Sequence, residues 1–153
     1  MRSQPTRAPF QILVFPFIRT GQGPIEYAIF RRRDGEYWQG IAGGGENAET
    51  PLETARRETE EESGIAAGEF MALSSMATVP VTAVTGEFTW GKGIYVLPEH
   101  AFGVRVQDKR IVLSGEHTEY RWVDYDTAVP MLKYDSNRNA LWELNARLSD
   151  FNR

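Results

Sequence analysis

Apolar and polar positions alternate in two ways along the chain. From Phe10 to Ile18 both alternating sets are apolar, Phe10/Ile12/Val14 on one side and Leu13/Phe15/Phe17 on the other. A strand of that kind buries both faces, so it belongs inside a covered sheet. Gly21-Gln22-Gly23-Pro24 then marks a turn, and Ile25 to Phe30 reads as a second strand ending in Arg31-Arg32-Arg33. Asp34-Gly35 is another turn, and a short extended stretch from Tyr37 to Ala42 runs into Gly43-Gly44-Gly45.

The pattern next switches to a helical period. Thr50 is a natural N-cap, Pro51 suits the first helical position, and Glu53 completes a capping box. Gly64 stands where a left-handed stop belongs, which predicts a helix over Pro51 to Ser63. From Phe70 to Trp122 the pattern is β-rich. Strands are expected at Met71–Thr78, Ile94–Leu97, Arg110–Ser114 and Tyr120–Val123, broken by Pro80, Gly86, Gly91, Gly93 and Pro98. Asp126 is expected to cap a short helix disturbed by Pro130. A last helix starts near Asp135 or Ser136, with Ala140, Leu141, Leu144 and Leu148 facing the sheet. The sum is an α+β domain, its sheet lying between an early and a late helix.

Composition narrows the function classes. A chain of 153 residues with 41% apolar and 25% charged residues reads as one globular domain, with residues 1–8 as a flexible tail. A net charge of −4 speaks against nucleic acid as a partner, because phosphate backbones call for excess Lys and Arg. The absence of cysteine excludes disulfides, thiolate metal sites and a cysteine nucleophile. The longest apolar run, Ile12 to Ile18, is too short to cross a membrane, and residues 1–9 lack an apolar signal core. A cytoplasmic protein without membrane attachment is expected.

The chemistry concentrates between Gly43 and Ile65, GGGENAETPLETARRETEEESGI. Glu58, Glu61 and Glu62 are spaced i, i+3 and i+4, so they lie along one helix face, where like charges repel. Such a run alone is most simply a solvated surface. A bound cation is the alternative that offsets the repulsion, and oxygen ligands without His or Cys suit Mg²⁺ or Mn²⁺. Arg57 can pair with Glu61 one turn away.

The full spacing decides between these readings. Gly43, five residues, Glu49, seven residues, Arg57-Glu58, two residues, Glu61-Glu62, one residue, then Gly64-Ile65 is the Nudix box. The chain resembles the Nudix hydrolase family, with Thr59 standing where the family prefers an aliphatic residue. Three flanking segments, RRRDGEYWQG, GEHTEYRWVDY and DSNRNAL, are similar to the dihydroneopterin-triphosphate pyrophosphatase branch, also described as dATP pyrophosphohydrolase. The resemblance implies a Nudix α/β/α sandwich with a mixed sheet. It implies an Mg²⁺-dependent enzyme, Mn²⁺ also serving, that cleaves a nucleoside or dihydroneopterin triphosphate to monophosphate and pyrophosphate. It implies Glu58, Glu62, Glu116 and the Gly43 carbonyl as metal ligands, and Glu61 or Glu116 as proton acceptor. Arg32, Arg7 and Ser136 match positions near substrate. A monomer or homodimer is expected.

Other readings stand beside these. A dinucleoside polyphosphate or another nucleotide adduct is the rival substrate, and a binding module without turnover is the rival class. Arg31 to Arg33 read equally as a solubilising strand end, and Tyr37 and Trp38 as core or rim. Glu119 rivals Glu116 for the late carboxylate. His100 and His117 show no metal spacing and are expected at the surface or hydrogen-bonded, and Ser136-Asn137-Arg138 reads most simply as a helix cap.

Overall fold

The computed structural model describes residues 6–83 and 90–149. A seven-stranded mixed sheet lies between helix α1 (Pro51–Ser63) on one face and helices α2 (Tyr125–Met131) and α3 (Asp135–Leu148) on the other. Its central strand is β1 (Arg7–Ile18). One edge of β1 runs parallel to β6 (Val96–Arg105), whose far edge pairs with β5 (Glu69–Pro80). The other edge is shared. β4 (Ile41–Glu46) pairs with β1 between Arg7 and Val14, and β2 (Glu26–Arg32) with its last two residues. β2 continues outward to β3 (Trp38–Gln39) and β7 (His117–Val123).

The doubly apolar pattern of β1 does what its sequence predicts. Ile12 and Val14 pack with Phe30, Ala55 and Phe102 under α1. Leu13, Phe15 and Phe17 pack with Tyr27, Leu141 and Leu144 under α3. Helix α1 keeps its predicted bounds. Thr50 Oγ1 accepts from the Glu53 amide at 3.2 Å, Glu53 Oε1 accepts from the Thr50 amide at 2.9 Å, and Gly64 is left-handed at φ 75°. Thr59 is fully buried, so the β-branched residue fills the inward position after all.

Elsewhere the structure corrects the expectations. Arg7 and Ala8 belong to β1, where Arg7 pairs with Glu46, so the expected tail does not reach residue 8. The strand expected at Ile94–Leu97 runs on to Arg105 through Pro98. Proline is tolerated there because β1 pairs with β6 only from Glu99 onward. Arg110–Ser114 is irregular; buried Ile111 and one bond from the Val112 amide to the Ser63 carbonyl, 2.9 Å, anchor it. The cap of α2 is Asp124, accepting from the Thr127 amide at 2.9 Å, and Pro130 sits within the helix. Asn137 is not a cap either: its Oδ1 accepts from the buried Gly40 amide at 2.8 Å, tying α3 to the sheet. No helix among the described residues is long and apolar enough to cross a membrane.

Candidate active site

Arg57 joins helix α1 to the glycine-rich strand before it. Its guanidinium donates to Glu49 at 2.9 Å, to the Gly44 carbonyl at 2.9 Å and to Glu58 at 2.9 Å, and pairs with Glu61 at 3.3 Å. Glu49 also accepts from the Glu46 amide and the Thr54 hydroxyl. The guanidinium beside it holds the Glu49 carboxyl down at about 2. One cation thus offsets part of the repulsion along the helix and fixes where its acidic face points.

Glu58 lies against Gly43. A Cβ on residue 43 would stand 2.3 Å from the Glu58 carboxyl carbon, so Glu58 keeps this position only while residue 43 is glycine. Burial pushes the Glu58 carboxyl up to about 7 although Arg57 pulls it down. Glu62, one turn on, departs from the expected solvent-facing position. It is 2% exposed, on the face that also buries Thr59 and Ser63, and neither oxygen has a hydrogen-bond partner. Its carboxyl is pushed up to about 10, first by burial, then by the neighbouring carboxyls of Glu116 and Glu58.

Glu116 arrives from the residue before β7. It pairs with Arg32 at 3.4 Å, and Arg32 also donates twice to Asp34 at 3.0 and 3.1 Å. Of the three consecutive arginines, Arg32 alone lines the adjoining cavity. Glu119 lies two residues along β7 and pairs with Arg121 at 3.0 Å, away from that cavity. The cavity measures about 610 Å³, and Gly43, Glu58, Glu116, Arg32, Arg7 and Ser136 are in its wall. Glu61 is not in the wall; it is exposed and held by Arg57. Glu62 stands behind the wall.

The oxygen-only set fits a hard divalent cation. Two buried carboxylate oxygens without partners and a glycine cradle are the features that fit it. Among the described residues no three acidic or imidazole side chains form a closed ligand cage, and Glu58 is hydrogen-bonded to Arg57.

Residues 12–144 match the family model described as NUDIX domain. The chain belongs to the NUDIX family. It is 26% identical over 144 residues to the dihydroneopterin triphosphate diphosphatase of Escherichia coli K12, covering 92% of this chain and 95% of that one. It is 33% identical over 121 residues to the asymmetrical bis(5'-nucleosyl)-tetraphosphatase of Rattus norvegicus, covering 78% of each. Among solved structures, a NUDIX hydrolase from Listeria monocytogenes superposes with a TM-score of 0.83 at 38% identity, covering 94% of this chain and 97% of that chain. The protein is a Nudix hydrolase, of a family that generally uses divalent metal ions.

The NUDIX fold also brings to the cavity residues that sequence reasoning missed. Gln11, Glu99, Asn137 and Asp34 all line it, as does Tyr37, which was read as core or rim. A signal existed for Gln11, which interrupts the apolar set Leu13/Phe15/Phe17 of an otherwise buried strand. None existed for Glu99, because Pro98 concealed its strand. His117 is buried rather than exposed or hydrogen-bonded, with neither ring nitrogen partnered. Burial, helped by Arg32, lowers its imidazole to about 4, so the ring is neutral beside Phe30 at 5.4 Å. His100 is half-buried and edge-on to Phe10.

Proposed function

We propose that this NUDIX protein is a cytoplasmic, Mg²⁺-dependent pyrophosphohydrolase, Mn²⁺ also serving, that cleaves a nucleoside or dihydroneopterin triphosphate to monophosphate and pyrophosphate. The observation that carries the reading is the pair of orphaned Glu62 oxygens beside Glu58 and Glu116, directly behind the wall of a cavity with room for a nucleotide. Glu58, Glu62, Glu116 and the Gly43 carbonyl would hold the cation. When bound, the cation neutralises phosphate charge and lowers the pKa of the attacking water.

The chain's own groups supply the rest. Arg32, already oriented by Asp34, offers forked donors to phosphate oxygens. Arg7, stacked 5.7 Å from the Trp90 ring, and the Ser136 hydroxyl bind from the facing wall. Water attacks a phosphorus flanking the α–β bridging oxygen, its bond to that oxygen breaks, and monophosphate and pyrophosphate leave. Glu116, with its side chain 59% exposed, takes the proton of the water; Glu61, outside the wall, is the weaker candidate.

The likeness to the rat tetraphosphatase favours a dinucleoside tetraphosphate as the second substrate. The test is pyrophosphate and nucleotide release from triphosphates and dinucleoside tetraphosphates, with Mg²⁺ and with chelator. Metal-dependent release of pyrophosphate from a triphosphate is expected. Nucleotide binding with no turnover on any member overturns the reading in favour of a binding module.

A further inference from the structure

Among the described residues the cavity wall holds two arginines, and they are held in different ways. Arg32 is fixed through its own donors: Nε and Nη2 donate to Asp34 at 3.1 and 3.0 Å, and Nη1 donates to Glu116 at 3.4 Å. Arg57, which is not in the wall, uses its donors on Glu49, Glu58 and the Gly44 carbonyl. For Arg7, no carboxylate among the described residues pairs with it and no acceptor takes its side-chain N–H groups. Its guanidinium carbon instead lies over the Trp90 ring, 5.7 Å from the centroid. The Trp90 Nε1–H donates to the Ala8 carbonyl at 2.9 Å, which ties the ring to the residue beside Arg7 on β1. The backbone there is fixed as well: Arg7 is in register with Glu46 on β4, and the Thr6 amide donates to Asn47 Oδ1 at 3.0 Å.

The two ways of holding a cation have different consequences. A carboxylate partner occupies N–H groups and adds negative charge that repels a phosphate. An aromatic face attracts the guanidinium through the ring quadrupole and adds no net charge, and it leaves the five N–H donors in the guanidinium plane available. A long side chain restrained before binding also loses less conformational freedom when the ligand arrives. An arginine held this way suits an anion, and in a cavity that takes a polyphosphate that anion is phosphate. The indole N–H, a donor that Phe and Leu lack, fixes the ring to the strand that carries Arg7.

We propose that Trp90 is a positioning residue: its ring holds the Arg7 guanidinium at the cavity wall with the N–H groups unused, and Arg7 thereby takes a phosphate of the substrate. Trp90 acts through Arg7 and is absent from the wall itself. This rests on the triphosphate hydrolase reading of the same cavity and adds to it a residue that works from outside the wall.

The test is calorimetric binding, with Mg²⁺, of the bis-methylene analogue of inorganic tripolyphosphate, a probe that has no ring and cannot be hydrolysed. Trp90→Leu and Arg7→Gln are each expected to weaken binding by about 10-fold, and the double variant to be no weaker than Arg7→Gln alone. Trp90→Phe keeps an aromatic face and is expected to stay within about 3-fold of wild type. In steady state, Trp90→Leu should raise KM for a nucleoside triphosphate more than it lowers kcat. Losses that multiply in the double variant overturn the proposal, as does a folded Trp90→Leu protein with wild-type affinity. So does an Arg7→Gln protein that loses affinity for a nucleoside triphosphate but not for the probe, because Arg7 then serves the ring. The expected binding pattern without turnover of any triphosphate overturns the hydrolase reading and leaves the positioning role; turnover without the pattern does the reverse. Should Trp90→Leu not fold, Trp90→Gln, which keeps an N–H for the Ala8 carbonyl and drops the ring, is expected to show the same loss, and wild-type affinity in it overturns the proposal.

Discussion

The two ends of the cavity are built by different means. The acidic end comes from one stretch of chain, where Gly43, Gly44, Glu49, Arg57, Glu58 and Glu62 meet through a strand, a capped turn and one helix. The far end comes from residues distant in sequence, with Gln11 and Glu99 joined by strand register and Ser136 and Asn137 brought over by α3. At the acidic end, groups are wired to one another through Arg57. At the far end, Gln11 Nε2 is buried without an acceptor, and Glu99 is held by Ser136 rather than by a cation. The first arrangement is held by charge and the second by strand register and the docking of α3.

The largest expected effect is at the acidic end. Glu62→Gln should lower kcat by about 10²–10⁴-fold, the scale of losing a group essential to the chemistry. Because it removes a buried carboxyl that must take up a proton on folding at pH 8, the same change should raise the metal-free melting temperature at that pH, as differential scanning calorimetry would reveal. A variant that unfolds with normal activity per folded molecule makes Glu62 purely structural.

Next comes the late carboxylate. Glu116→Gln should cost about 10²-fold or more in kcat, whereas Glu119→Gln, paired with Arg121 away from the cavity, should leave steady-state rates near wild type. Loss confined to the Glu119 variant would displace Glu116 from the site.

Gly43→Ala sharpens the contrast between packing and charge. The added Cβ forces away the Glu58 carboxyl, the end of a flexible side chain, so stability by urea denaturation should change by about 1 kcal/mol or less while kcat falls at least about 10-fold. Stability and rate both at wild-type level would mean that Glu58 need not lie on the glycine. The smallest effect belongs to Thr50→Ala, which removes the cap and about 1 kcal/mol without touching kcat/KM.

These differences track what the sequence makes legible. Thr50, Pro51, Glu53 and Gly64 are local signals, and the helix they enclose has the predicted bounds. The double burial of β1 was legible because both alternating sets are apolar. Glu62's burial was not, since helical spacing places it on a face without saying what packs there. Glu99 stayed hidden because a proline reads as a strand break, and only a partner strand shows whether it acts as one. Ile111 and Leu113 alternate like a strand, yet among the described residues no neighbouring strand pairs with them.

The central claim is that Glu58 and Glu62 are held in place for a divalent cation, and metal-dependent stability tests it most directly. Both carboxyls sit above the ordinary value of 4.5, at about 7 and about 10. Their neutral forms therefore add stability that is complete below pH 4.5 and is lost as pH rises through those two values. A cation favours the ionised forms, so its stabilisation should grow with pH. Melting temperature measured with Mn²⁺ and with chelator should show a larger cation increment at pH 8 than at pH 6 in the wild type, and most of it gone in Glu62→Gln. An increment that is absent, or the same at both pH values and in both proteins, would contradict the account.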